Sequence, residues 1–319
     1  MFSREVLTID AQAACTRIAA ALREQVLGTL RKKGVVVGMS GGIDSSAVAA
    51  LSVLALGADR VFGILMPEKD SSDDALRLGK LLADKLGIAV VTENLQPALA
   101  AIGCYERQYE AIRQVFPEYK ADWKHKITLP SILEGDRLNV YRLTVQSPDG
   151  KQRSERMPLG AYLQIVAATN FKQRLRTVLE YYHADRLNYA VGGTPNRLEY
   201  DQGFFVKGGD GLADIKPIAH LYKSQVYAVA GHLGVPDEIL RRLPTTDTYS
   251  LPQGQDEFYF SLPYDQMDLC LYAHDHQVPA AEVAATLRLT ADQIERVYKD
   301  IEGKRRFARY LHAAPLLVE

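Results

Sequence analysis

The stretch VVVGMSGGIDSSAVAALSVLALG, residues 35–57, decides the fold. It opens with three valines, and a short β-branched run without polar side chains is typical of a strand buried on both faces of a parallel sheet. A glycine turn follows at residues 40–42, and the apolar run from Ser45 to Gly57 indicates a helix buried against that sheet. The stretch therefore predicts a strand, a glycine turn and a helix.

The same alternation continues on both sides of this stretch, which predicts an α/β fold with a doubly wound parallel sheet and flanking helices. Helical spacing of apolar residues and β-branched runs separate the two kinds of element. The predicted helices are 9–32, 45–57, 74–86 and 160–182, the predicted strands are 35–37, 61–66, 88–91 and 189–193, and a helical C-terminal segment contains 224–233, 237–243, 280–287 and 290–298.

The rhythm breaks at about residues 105–159, which predicts an insertion. Residues 138–145 alternate apolar and polar side chains, the turn sequence SPDG follows at 147–150, and a charged segment comes next. We interpret this pattern as an exposed β-hairpin. The whole chain, residues 1–319, is predicted to form one domain around the insertion.

Composition narrows the class of protein. The net charge is −1 and the pI is about 6.7, so the chain lacks the basic character typical of nucleic-acid binders. Cys15, Cys104 and Cys270 form no CxxC pair, which fits a reducing compartment. No segment approaches the ~20 apolar residues of a membrane span, and the N-terminal residues do not resemble a signal peptide. We therefore expect a cytoplasmic protein without nucleic-acid or membrane partners.

The turn at residues 40–46 has the features of a phosphate-binding loop. Backbone N–H groups converge at the start of a helix, and the helix dipole adds partial positive charge there. Ser40, Ser45 and Ser46 add hydroxyl donors, while the Asp44 carboxylate suits a magnesium ion that bridges phosphates. A tight turn with serines as helix N-caps is the alternative interpretation.

The motif itself excludes two common nucleotide loops. Walker A needs lysine after its last glycine, whereas Ile43 follows Gly42 here, and GxGxxG is absent. The pattern Ser-Gly-Gly-x-Asp-Ser at residues 40–45 instead resembles the pyrophosphate loop of the N-type ATP pyrophosphatases, which split ATP between its α and β phosphates. This resemblance implies an adenine nucleotide alpha hydrolase-like fold and ATP as co-substrate.

Segments of the second half of the chain resemble NAD synthetase in order and spacing, at residues 170–176, 193–199, 203–211 and 213–217. The resemblance implies a ligase that adenylates the nicotinate carboxylate of deamido-NAD and transfers ammonia to it, giving NAD, AMP and pyrophosphate. It also implies Mg²⁺ and a homodimer. Glutamine-using relatives carry an amidase domain for which this chain has no room, so free ammonia is expected, and a separate glutaminase partner stays open.

The same resemblance gives individual residues a role. A carboxylate pair suits a hard cation, hydroxyl and ammonium groups suit phosphate oxygens, and an arginine suits the anionic groups of a dinucleotide. Asp44 and Lys223 are the implied catalytic residues, and Asp44 and Glu199 the implied magnesium ligands. The implied ATP contacts are Gly38, Ser40, Gly41, Gly42, Asp44, Ser45, Ser46, Thr194, Lys223 and Thr245, and the implied deamido-NAD contacts are Arg174, Lys207, Asp214 and Lys304.

Departures from the family pattern keep the identity of the acid open. The Pro-Thr/Ser-Ala-x-Leu segment of the family is PTTDTY at residues 244–249, and Gly303 stands where the family commonly has histidine before Lys304. The alternatives are a related amide ligase for another carboxylate, a tRNA-modifying adenylase, and a nucleotide-binding module without activity. The adenylase would be expected to show paired cysteines or a basic arm, and neither is visible.

Overall fold

The three valines form strand β1 (Val35–Gly38) in the middle of a parallel sheet. The structure is a computed structural model that describes residues 2–129, 131–134, 141–245, 249–254, 256–260 and 262–318. Val36 pairs with Phe62 on one side and Val191 on the other. The remaining strands are β2 (Val61–Leu65), β3 (Ala89–Thr92) and β7 (Ala190–Gly192), and the order in the sheet is β3-β2-β1-β7. The predicted parallel sheet is confirmed.

Helices cover both faces of this sheet, as predicted. Side chains alternate between the faces of a strand, so Val35 and Val37 pack on one helical layer and Val36 on the other. The first layer contains α1 (Ala11–Arg23), α2 (Ile43–Leu56), α3 (Asp73–Leu86) and α8 (Lys223–His232), and the second contains α4 (Gln96–Ala101), α5 (Cys104–Arg113) and α6 (Leu159–Leu187).

The predicted hairpin is present as β5 (Arg142–Gln146) and β6 (Gln152–Arg156), but it belongs to a larger sheet. A third strand that the sequence did not predict, β4 (Lys124–Thr128), pairs antiparallel with β5. The hairpin is also less exposed than predicted, because Leu143 and Val145 are buried with residues of α5 and α6. Residues 138–140 of the predicted first strand lie outside the described residues.

A helical layer completes the C-terminal part. Its apolar side chains form a separate cluster with residues near the N-terminus. The elements are α7 (Arg197–Gln202), α10 (Tyr264–Asp275), α11 (Ala280–Leu287) and α12 (Ala291–His312), whereas α9 (Asp237–Leu240) packs on the first helical layer through Ile239. Helix α10 was not predicted, and α12 extends well beyond the predicted 290–298. None of the helices described combines the length and apolar character that crossing a membrane requires.

Candidate active site

A cavity of about 640 Å³, called the main cavity below, lies at the carboxyl ends of the parallel strands. Its lining includes Gly38 at the end of β1, Leu65 at the end of β2 and Thr194 just after β7. Ligands of open α/β sheets bind at this edge, where the strand order reverses direction. The fold therefore places the predicted phosphate loop at the mouth of a pocket.

The loop has the backbone geometry that its glycines predict. Gly41 has φ of +71°, and an added Cβ would lie 2.5 Å from the carbonyl oxygen of Ala75. Gly42 is the N-cap of α2, and Ser40 Oγ accepts the Gly42 N–H at 3.3 Å. The N-cap residue is therefore a glycine rather than a serine, and the N–H groups in the first turn of α2 can bind an anion.

The three serines of the loop differ in what they face. Ser40 and Ser45 line the main cavity, and their hydroxyl oxygens lie 3.2 Å apart. The Ser46 hydroxyl donates to the Gly42 carbonyl oxygen at 2.7 Å and is buried. Gly41 and Ser46 are outside the described lining of the cavity, so their predicted ATP contacts stay predictions.

Four side chains from three segments of the chain meet beside this loop. One carboxylate oxygen of Asp44 accepts a hydrogen bond from Lys223 Nζ, and the other accepts one from Asn196 Nδ2 at 3.0 Å. Asn196 caps α7, and its backbone N–H donates to Glu199 Oε2 at 3.1 Å. Asp44, Lys223 and Glu199, three predicted site residues distant in sequence, are therefore brought together.

This cluster stabilises the charged form of Lys223. The residue is only 1% exposed, and burial disfavours the ammonium form. The carboxylates of Asp44 and Glu199 outweigh that effect and raise the pKa of Lys223 above its usual range. Lys223 is therefore a permanent positive charge at the wall of the main cavity.

Asp268, which was not predicted from the sequence, caps helix α8 at its first residue, Lys223. It lies on α10, and its carboxylate accepts the backbone N–H of Lys223 at 3.1 Å and that of Ser224 at 2.7 Å. Burial raises the pKa of Asp268 to about 6, although these N–H donors oppose the shift. The carboxylate thus caps α8 from another helix and orients the residue that carries the site's cation.

Arg174 and Lys207 line the main cavity on its far side. Arg174 Nη2 donates to the Lys207 carbonyl oxygen at 3.3 Å. Lys207 Nζ donates to the carbonyl oxygens of Tyr310 and Ala313, each at 2.9 Å, and so binds the end of α12. Both residues, which were predicted to contact deamido-NAD, therefore line the main cavity next to helix α12.

The other two predicted contacts of the acid lie elsewhere. Asp214 accepts the Val191 N–H at 2.8 Å and the Tyr181 hydroxyl at 3.2 Å, which ties it to strand β7. Lys304 pairs with Asp300 at 2.6 Å. Both residues are within the described part of the chain and outside the lining of the main cavity, so their substrate roles stay predictions.

A carboxyl pair that the sequence did not predict as functional also lines the main cavity. Burial raises the pKa of Glu180 to about 7, and the charge of Asp210 adds to the shift. Burial likewise raises the pKa of Asp210 to about 6, against the Val206 N–H and the charge of Arg176. The pair can hold a proton near neutral pH, which is a frequent property of functional sites.

This pair predicts a pH-dependent stability. Since the pKa of Glu180 is raised in the native state, its contribution is complete below about pH 4.5 and is lost as the pH rises to about 7. We expect the free energy of unfolding of the unmodified protein, measured relative to the Glu180→Gln variant, to fall by on the order of 3 kcal/mol from the lower pH to the higher pH. Urea unfolding at both pH values measures this difference. The exposed Glu295→Gln is the control, and a difference that does not change with pH would contradict the prediction.

Two comparisons of the sequence with known proteins give the same result. The family model described as NAD synthase matches residues 14–118 and 143–311, which leaves 119–142 between the matched segments. An NH(3)-dependent NAD(+) synthetase of Mesorhizobium japonicum is 60% identical over 312 residues, which cover 98% of each chain.

Solved structures show the same fold at lower identity. The NMN synthetase from Francisella tularensis has a TM-score of 0.65 and 21% identity, covering 98% of this chain and 99% of that one. The NH3-dependent NAD synthetase from Campylobacter jejuni in complex with the nitrate ion has a TM-score of 0.63 and 22% identity, covering 98% and 100%. At such identities these likenesses concern the fold alone.

Proposed function

The chain belongs to the NAD synthase family, and from that premise we propose that it is an amide ligase making NAD from deamido-NAD, ATP and ammonia. One observation carries the proposal at the level of residues. Asp44, Glu199 and Lys223 meet beside a glycine loop at the carboxyl ends of the sheet. This arrangement supplies a cation and two carboxylates where a triphosphate would lie.

In the first step an oxygen of the nicotinate carboxylate attacks the α-phosphorus of ATP. The bond from that phosphorus to the bridging oxygen of the β-phosphate breaks, and pyrophosphate leaves with the electron pair. Lys223 and the N–H groups at the start of α2 stabilise the charge on the leaving pyrophosphate. Catalysis in this step is positioning and charge neutralisation, so no protein nucleophile is needed.

In the second step ammonia attacks the carbonyl carbon of the acyl-adenylate. The bond from this carbon to the phosphate oxygen breaks, AMP leaves, and the nitrogen loses one proton as the amide forms. Arg174 and Lys207, on the far side of the main cavity, are placed to hold the anionic groups of the dinucleotide during both steps.

The residues present fit a magnesium ion bound together with ATP. Mg²⁺ is usually held by one or two carboxylates, with phosphate oxygens and waters completing its shell. Asp44 and Glu199 would supply these carboxylates. Among the described residues, no group of three or more histidine, cysteine, aspartate or glutamate side chains is arranged to hold a metal ion. When bound, the ion neutralises phosphate charge.

The assembly and location of the protein are also proposals. A homodimer is supported by large apolar side chains exposed along α6, with Leu159 71%, Leu163 55% and Val178 61% exposed. The cytoplasm is supported by three free, buried cysteines. Ammonia is proposed to come from solution, with a separate glutaminase as the alternative source.

The function is tested by omitting one reactant at a time. The protein is incubated with ATP, Mg²⁺, ammonia and either deamido-NAD or nicotinate mononucleotide, and pyrophosphate, AMP and the amide product are measured. We expect ATP cleavage that depends on deamido-NAD, and amide formation that depends on ammonia as well. ATP cleavage with the mononucleotide alone would contradict the proposed acid and support the related amide ligase.

A further inference from the structure

Helix α7, which carries Glu199, is too short to hold its own position. It has six residues, Arg197–Gln202, and isolated helices of fewer than about 12 residues are unstable in water. Its first turn is tied to the phosphate loop, because the Asn196 side chain donates to Asp44 at 3.0 Å. The rest of the helix depends on contacts with other elements, and these contacts decide where the Glu199 carboxylate lies.

Two charged side chains, Arg197 and Asp201, occupy the face of α7 opposite Glu199. Residues four apart lie on the same face of a helix, whereas a residue midway between them is turned away by about 200°. Glu199 lines the main cavity, and Arg197 and Asp201 are outside its described lining. Helix α7 therefore presents Glu199 to the cavity and two charges to the helices behind it.

Arg305, on α12, binds the charges behind α7. Its Nε and Nη2 donate to the two carboxylate oxygens of Asp201, at 2.8 and 2.9 Å. Nη2 also donates to one oxygen of Asp275 at 2.6 Å, and the other oxygen of Asp275 accepts Arg197 Nη2 at 2.7 Å. These four side chains form a chain of ion pairs that starts and ends on α7, called the back-face network below.

The back-face network is partly buried and geometrically specific. Its side chains are between 17% and 34% exposed, so water screens these ion pairs less than it screens pairs at the surface. Burial acts against the charge of Asp275, but hydrogen bonds from Arg305 and Arg197 lower its pKa below the usual range. A guanidinium that bonds both oxygens of one carboxylate is fixed in orientation, which a lysine does not achieve. The network therefore holds α7 in one orientation.

The back-face network also connects α7 to the helix that positions Lys223. Asp275 is the last residue of α10, and Asp268, about two turns earlier on the same helix, caps α8 at Lys223. Helix α10 thus contacts both elements that carry charges of the site. A displacement of α7 from α10 would change the distance between Glu199 and Lys223.

We propose that Arg305 is a positioning residue of the magnesium site. Through the back-face network it fixes where the Glu199 carboxylate lies relative to Asp44. Groups that hold a metal ligand in place raise the affinity for the metal, and Mg²⁺ in particular demands near-ideal octahedral geometry. A displaced Glu199 would therefore weaken the binding of Mg²⁺ with ATP. This role rests on the proposed function, since that function supplies the ATP and the ion.

The test measures metal-dependent nucleotide binding, without turnover, on the full chain. Arg305→Met removes the guanidinium, and Arg305→Lys keeps the charge without the paired hydrogen bonds. Equilibrium dialysis measures binding of radiolabelled α,β-methylene-ATP, which is not cleaved between these phosphates, over a range of free Mg²⁺ concentrations. The Mg²⁺ concentration for half-maximal binding should rise by about tenfold in Arg305→Met and by about threefold or more in Arg305→Lys. A merely structural role would lower the amount of analogue bound without changing that concentration.

Arg296→Met is the matched control. Arg296 is a half-buried arginine of the same helix, and its guanidinium donates to the carbonyl oxygens of Ile132 and Leu133, at 3.2 and 3.3 Å, rather than to α7. This variant should lose stability in urea, but its Mg²⁺ requirement should stay within about twofold of the unmodified protein. An unchanged requirement in both Arg305 variants would overturn the positioning role. An equal rise in Arg296→Met would also overturn it, because the cause would then be general destabilisation.

Failure of the proposed function gives a different result. If the unmodified protein binds the analogue with Mg²⁺ but releases no pyrophosphate from ATP in the presence of deamido-NAD and ammonia, the proposed function is contradicted. The Mg²⁺ requirement then still decides the role of Arg305. Analogue binding that does not depend on Mg²⁺ in the unmodified protein would overturn the magnesium site, and the role of Arg305 with it.

Discussion

Asp44→Asn should abolish pyrophosphate release, with turnover lower by about three orders of magnitude. The Asp44 carboxylate is the contact between Lys223 Nζ and Asn196 Nδ2, and it faces the main cavity at the start of α2. Asparagine keeps the size and one acceptor oxygen but removes the negative charge that would hold the metal and orient the lysine. Pyrophosphate release in the presence of ATP, Mg²⁺, deamido-NAD and ammonia measures the effect.

The control for this experiment is Asp292→Asn. Asp292 is likewise an acid in the first turn of a helix, α12, and it is exposed. The same chemical change there should leave turnover unaltered, and urea unfolding of both variants should show an intact fold. Near-normal pyrophosphate release by Asp44→Asn would refute its assignment to the site.

Residues 35–57 predicted the centre of the fold correctly because local pattern and tertiary environment agree there. Val36 faces one helical layer and its two neighbours face the other, so a wholly apolar run is what that strand requires. The glycine turn could also be predicted from the sequence, since Gly41 has a positive φ that other residues rarely adopt.

Prediction failed where partners distant in sequence decide the structure. Strand β4 has the sequence KHKIT, which is too polar to stand out, and it becomes a strand by pairing with β5. Helix α10 mixes acids with apolar residues, and Asp268 is buried within it because it caps a different helix. Neither feature has a local signal.

The site followed the same rule. Motif positions Asp44, Glu199 and Lys223 were predicted, and they lie together in the structure, although their chemical roles remain predictions. Asn196 lies in the segment 193–199 that resembles the family, but no role was predicted for it. In the structure its side chain donates to Asp44 and its backbone N–H donates to Glu199. The raised pKa of Glu180 depends on burial and on its distance from Asp210, which a sequence does not contain.

Lys223→Met should lower both turnover and stability, and the second effect depends on Asp44. Losing the cation that faces the leaving pyrophosphate should reduce turnover by about three orders of magnitude. Methionine also leaves Asp44, whose side chain is only 16% exposed, without its counter-ion. Removing one partner of a buried ion pair costs about 3 kcal/mol or more of unfolding free energy.

The double variant Asp44→Asn with Lys223→Met separates these effects. Removing both charges leaves Glu199 as the remaining ion of the cluster, which still accepts the Asn196 N–H, and Asn196 can still donate to the remaining amide oxygen at position 44. We therefore expect urea unfolding to show stability restored to within about 1 kcal/mol of the unmodified protein, while pyrophosphate release stays as low as in the single variants. If stability and activity recovered together, the pair would serve the fold alone; if neither recovered, the ion pair would not be the source of the instability.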